Sequence, residues 1–285
     1  MKGNDEHLVC REPIPQSPRL SEVFHMLNRM IPDNQVVFAV SPETTARAAL
    51  ELMNQRGFSQ LPVQEGEHVL GLFTYRAFAL EVAQSGKTKE DIASLPVEEF
   101  LEHEKPSYAR VTDEFSALIA ALNAKDAVVV SSPETLIAII TPMDVLQYLY
   151  TVTSPFVLIA EIELALRALM SVALPNEAIV GECAANALAN KYRDRKMPTR
   201  MEDMTFDDYI SLIRHGDNWS RFRDILGGTR ERAQARLEPV RNLRNDVFHF
   251  RRELSVQDHE ILTTCRAWLL LRCTRKVQAR SEGVN

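Results

Sequence analysis

The feature that most constrains how this 285-residue chain can fold is a pattern written twice. Val36-Val37-Phe38-Ala39-Val40 has the composition of a short strand. Ser41-Pro42-Glu43-Thr44-Thr45 reads as a turn that opens a helix, with Ser41 or Thr44 as N-cap and Pro42 in the first turn. The helix carries Ala48, Ala49, Leu52 and Met53 and stops at Gly57. Leu61-Pro62-Val63-Gln64 and Val69 to Thr74 are strands around a Glu65-Gly66-Glu67 turn, and Tyr75 to Gln84 is a helix. The same β-α-β-β-α order returns in a strand and turn at Ala109–Asp113, a helix at Phe115–Lys125 and a strand at Ala127–Val130. A Ser131–Glu134 turn, a strand at Leu136–Thr141 and a helix at Pro142–Tyr150 complete it. Leu61 to Val128 and Thr74 to Thr141 are both separated by 67 positions, the mark of an internal duplication.

With Ser-Pro-x-x-Thr, Ala-Leu-x-x-Met, Leu-Pro-Val and Gly-Leu-Phe-Thr in these places, residues 35–152 resemble a tandem CBS (cystathionine β-synthase) domain pair. The resemblance implies a disc whose clefts take adenosine-containing ligands and act as a sensor for an attached module. Its ligand motif ends in Gly-x-x-Thr/Ser-x-x-Asp, where the hydroxyl meets phosphate or ribose and the Asp holds the ribose hydroxyls. The second repeat keeps Thr141 and Asp144, with Ala138 where the family often has Gly, whereas the first reads Thr74-Tyr75-Arg76-Ala77 and lacks the Asp. One competent site is therefore expected around Thr141 and Asp144, completed by Arg110 and Thr112 at the Ala109–Thr112 strand end. Its ligand would be regulatory, of the AMP, ADP or ATP kind. A first-turn carboxylate that satisfies free amides is the structural alternative for Asp144.

From Pro155 the strand signals stop. Phe156–Met170, Glu177–Tyr192, a Thr205-capped segment with Asp208 in the capping-box position, Trp219–Leu226, Arg230–Phe250 and Val256–Arg275 all have helical spacing. The fold class expected is thus an α+β pair of repeats followed by an all-α helical bundle. Its segments are 1–34 as tail and helix (with helical spacing from Leu20 to Met30), 35–152 as the repeats, 155–275 as the bundle and 276–285 as a tail. From Pro155 onward there are 21 Lys+Arg against 18 Asp+Glu, and before it 12 against 21, so a mildly basic module follows an acidic one.

The fifth of these helices ends in Arg241-Asn242-Leu243-Arg244-Asn245-Asp246-Val247-Phe248-His249-Phe250. Arg supplies a permanent forked cation, Asn a polar orienting group, and His a proton carrier near neutral pH. On an ideal helix Asn245 and His249 share a face, while Arg244 and His249 diverge by about 140°. Only the reach of Arg, a local distortion or a second copy of the chain brings both to one phosphate. Placed before the last helix of an all-α module, this Arg-x4-His pattern resembles HEPN (higher eukaryotes and prokaryotes nucleotide-binding) domains over 155–275. The resemblance implies a homodimer that joins two Arg-His sets in one cleft and cuts RNA without a metal. Arg244, Asn245 and His249 would then be catalytic, and Arg241, Arg251 and Arg252 would hold flanking phosphates. Glu163 and Arg167 on the first helix, an i,i+4 pair, would be able to face that cleft. The competing class is a non-catalytic bundle for dimerisation or RNA binding.

No metal site is expected, because the four cysteines lack CxxC or zinc-type spacing, and no cofactor is required. No apolar run reaches the length of a membrane span, and the N-terminus has no apolar signal core, so a cytoplasmic protein with reduced thiols is the expectation.

Overall fold

The computed structural model describes residues 8–9, 27–31, 35–103, 106–132 and 135–282. They form two compact units, 1–149 and 150–285. In unit 1, strands β1 (Leu8–Val9) and β2 (Val37–Phe38) pair antiparallel, and α1 (Ala46–Arg56) follows. Its N-cap is Thr45, whose side chain accepts from the Ala48 amide; Ser41 and Thr44, the expected caps, are instead tied to each other in the preceding turn. Gly57 ends the helix at φ 70°, a conformation open to glycine because it has no Cβ. The hairpin β3 (Gln60–Glu65) and β4 (His68–Thr74) leads to α2 (Tyr75–Gln84), capped by Thr74.

A connection carries α3 (Lys89–Ala93) and a 3-10 turn at Val97–His103, whose Ile92, Val97 and Phe100 complete the first repeat's core. The second repeat is β5 (Ser107–Ala109), α4 (Phe115–Ala124), β6 (Val128–Ser132), β7 (Thr135–Ile140) and the start of α5 (Pro142–Ala173). Part of the expected Ser131–Glu134 turn, residues 133–134, lies outside the described residues, as do residues 20–26 of the expected N-terminal helix. Leu27–Arg29 is a 3-10 turn that donates amides to Val111 and Asp113 and buries Leu27 in the second core.

The duplication holds to the level of single hydrogen-bonded pairs. Leu61 faces Phe73 and Val128 faces Ile140; Val63 faces Gly71 and Val130 faces Ala138. Each hairpin shifts register at the same point, after Val63 and after Val130. Val37, Leu72, Ala127, Val129 and Leu136 form a small shared core, which lays β2 of the first repeat beside β7 of the second.

Two separate helices were expected on either side of Pro155, but α5 runs through it. Proline inside a helix removes one hydrogen bond and costs about 3 kcal/mol. Here its ring is buried, and Ile159, Ile162, Leu166 and Leu169 beyond it enter the largest core of the chain. That burial, at about 1.5–3 kcal/mol per large side chain, outweighs the break.

Unit 2 adds α6 (Glu177–Leu188), α7 (Phe206–Arg214), α8 (Gly216–Leu226), α9 (Arg230–Phe248) and α10 (Val256–Glu282), which extends past the expected end at Arg275. The expected capping box is present: Thr205 accepts from the Asp208 amide, and Asp208 accepts from the Thr205 amide and hydroxyl. Among the described residues no helix is long and apolar enough to cross a membrane.

Candidate functional site

Unit 1 holds a cavity of about 340 Å³ where β7 turns into α5. Thr141 and Asp144 line it. The other wall is not Arg110 and Thr112. It is Gln35–Phe38 and Gly57–Gln60 of the first repeat, brought there because β2 lies beside β7. Arg110 instead starts the turn into α4, its amide donating to Asp113 Oδ2.

At the cavity edge Thr141 N and Oγ1 both donate to Asp144 Oδ2, at 2.8 and 2.6 Å, and the Asp144 amide donates back to Thr141 Oγ1. This reciprocal cap is the structural role weighed for Asp144, and it engages only Oδ2. The wall therefore combines an exposed carboxylate and the aromatic ring of Phe58.

The duplicated cleft lies 67 residues away in register. Leu72, Thr74, Lys125, Asp126 and Ala127 stand where Ile139, Thr141, Phe58, Ser59 and Gln60 stand in the first cavity, yet this cleft holds only about 10 Å³. Ala77 occupies the place of Asp144, and Arg76 pairs with Asp126 at 3.9 Å.

Unit 2 arranges the Arg-x4-His segment around the end of α9. The helix stops at Phe248 rather than at Phe250. His249 is the C-cap, the Phe250 amide donates to Val247 O and the Arg251 amide to Asp246 O, the two bonds of a Schellman ending. Phe250 occupies the left-handed position at φ 51°, where glycine is usual and another residue costs on the order of 1 kcal/mol. His249 is exposed.

Arg244 donates from Nε to Glu163 Oε2 at 3.5 Å and lies over the Phe248 ring at 5.0 Å. Glu163 also accepts from Arg167 at 3.0 Å, and Arg167 donates to the Tyr209 hydroxyl. The α5 pair thus reaches the motif. Among the described residues no hydrogen bond joins Arg244 to His249.

The expected phosphate ligands are placed unequally. Arg241 is held by Asp207 at 3.1 Å, so it braces α9 against α7. Arg252 is held between Asp246 at 3.0 Å and Asp258 at 2.6 Å, contacts that keep the Asp258 carboxyl well below the usual range. Only Arg251 of the three projects with a long contact, 3.9 Å to Asp246. Asn245 is half-buried and gives its carbonyl to the His249 amide.

Asp207 and Asp208, read from sequence as first-turn residues, have a further structural role. Asp208 is fully buried and receives Lys191 at 2.6 Å and the Tyr192 hydroxyl at 2.8 Å besides its own cap. Burial alone would raise its carboxyl, but the bonds from Lys191 and Thr205 prevail and hold it low.

The comparisons with known proteins bear on unit 1. A family model described as CBS domain matches residues 22–83. Unit 1 carries a CBS domain. Cystathionine beta-synthase of Dictyostelium discoideum is 30% identical to the chain over 111 residues, which are 39% of this chain and 22% of that protein. The chain thus spans less than a quarter of the length of this curated relative. CBSX2 in complex with AMP is 18% identical, with a TM-score of 0.37, over 43% of this chain and 94% of that one. A CBS-domain protein from Agrobacterium tumefaciens is 17% identical, with a TM-score of 0.39, over 43% of this chain and 92% of that one. Beside the matched CBS segment, the second repeat supplies Thr141 and Asp144 to the cavity.

Proposed function

We propose that this chain is a homodimeric, metal-independent endoribonuclease regulated by an adenosine nucleotide in the unit 1 cavity. The observation that carries the sensor is the cavity itself, roomy only where Asp144 is present. An exposed carboxylate can accept ribose hydroxyls. Calorimetric titration with AMP, ADP and ATP is expected to find one that binds. Asp144→Asn, which keeps an acceptor for the cap but removes the charge, is expected to weaken that binding about ten-fold. Equal affinity in the variant, or no binding to the parent chain, sinks the sensor.

For unit 2 the support is the exposed His249 at the end of α9, five residues after an Arg244 that Glu163 holds, with Glu163 held in turn by Arg167. His249 would move the proton of the 2′-hydroxyl or of the leaving 5′-oxygen, and Arg244 would bind the scissile phosphate and stabilise its developing charge. Asn245 would orient the phosphate or His249. Products would end in a 2′,3′-cyclic phosphate and a 5′-hydroxyl. Single-stranded RNA incubated with the full chain in EDTA tests this, and survival of cleavage is the expected result. The ion pairs that occupy Arg241, Arg244 and Arg252 favour the non-catalytic RNA-binding or dimerisation module as second reading. Binding without cleavage would establish it.

The dimer reading draws on Tyr150, Val157 and Leu164, exposed by 65, 53 and 61% at seven-residue spacing on α5. Val157→Glu together with Leu164→Glu is expected to shift sedimentation from dimer to monomer. A parent chain that sediments as a monomer overturns the dimer.

A further inference from the structure

Phe250 is 84% exposed in a backbone conformation that favours glycine, so it is unfavourable for folding in two independent ways. A glycine would close the α9 Schellman ending without strain. Its ring contacts Phe156 at 6.4 Å between centroids, and Phe156 meets Phe248 edge-on at 5.6 Å. Phe248 is itself 46% exposed and lies under the Arg244 guanidinium. Phe248 and Phe250 thus flank the exposed His249 in the chain, and Arg251 follows with its side chain 61% exposed.

Apolar rings interleaved with forked cations match the faces and phosphates of unpaired bases. A base-paired helix keeps its base faces stacked inside and offers mainly phosphates and 2′-hydroxyls. We infer that Phe250 and Phe248 are a stacking platform for unpaired bases flanking the scissile phosphate. The inference rests on the ribonuclease reading and adds two positioning residues to it.

The test uses full-length chain carrying His249→Ala, which silences cleavage, and a fluorescent single-stranded RNA followed by anisotropy. Adding Phe250→Ala is expected to weaken binding about ten-fold, Phe250→Trp to restore it, and a blunt RNA duplex to bind equally to all three. Thermal unfolding of the Phe250→Ala chain should not occur earlier than that of its parent. Unchanged single-strand affinity in Phe250→Ala overturns the platform. So does a loss that accompanies conversion to monomer in sedimentation, which would assign Phe250 to the contact between two copies. The two readings fail separately. Intact RNA cleavage with unchanged affinity in Phe250→Ala removes only the platform, whereas Phe250-dependent binding by a parent chain that never cuts removes only the catalysis. A parent chain that binds no RNA removes both.

Discussion

Replacing His249 by alanine is expected to lower RNA cleavage by about 10²–10⁴-fold, the usual worth of a positioned proton carrier. Arg244→Ala is expected to lose about 10²–10³-fold, as for removal of one donor to a developing oxyanion. Arg244→Lys should not recover the loss, because an ammonium lacks the planar fork. Thermal unfolding separates these losses from damage to the fold. His249 is exposed and Arg244 has a long contact to Glu163, so both variants should unfold within a degree or two of the parent chain. Cleavage measured by gel with EDTA present, and with 3′ ends tested for a cyclic phosphate, decides the matter. Variants that cut at the parental rate would end the assignment of these two residues.

The largest expected effect on stability belongs to Asp208. Its carboxylate is fully buried and joins Lys191 and Tyr192 to the start of α7. Asp208→Ala leaves the Tyr192 hydroxyl and the Thr205 amide without this acceptor, and the ammonium with Asp207 alone. Breaking such a pair costs about 3 kcal/mol, the lower end of the range being apt because Lys191 is a third exposed. Both tryptophans, Trp219 and Trp268, lie in unit 2, so their fluorescence in a urea titration reports this unit. An unchanged midpoint would show that the cluster does not hold the bundle.

The same carboxyl makes unit 2 acid-sensitive. The folded state holds Asp207 and Asp208 below their ordinary values: burial opposes this, and hydrogen bonds from Lys191 outweigh it. The unfolded chain therefore binds protons first as pH falls. The stabilisation is complete above about pH 4–5 and is lost progressively below the unfolded value of about 3.9. Asp208→Asn should flatten that acid slope.

Much of this organisation is legible in the chain because it depends on local rules. The 67-residue offset fixes both hairpins, since strand register follows from which alternate residues are apolar. Thr205 and Asp208 announce a capping box at the spacing its geometry demands. Features set by tertiary competition are not legible. Pro155 signals a break, and only the core beyond it shows why α5 continues. Arg110 and Thr112 follow from assuming that a repeat completes its own cleft, whereas the shared core of Val37 and Val129 makes the first repeat wall the second. Arg241 and Arg252 read as free cations until Asp207, Asp246 and Asp258 arrive from other parts of the fold. Phe250 carries a sequence signal after all: an aromatic residue stands where a helix end asks for glycine.

The matched register shift after Val63 and Val130 has a consequence for counting. Two hairpins that bend at the same point place residues 67 apart at matching positions of two clefts, which differ in side chains, Asp144 against Ala77 and an Arg76–Asp126 pair, and in volume. Saturation of the proposed sensor is thus expected at one ligand per chain, so a homodimer would titrate to two molecules rather than four.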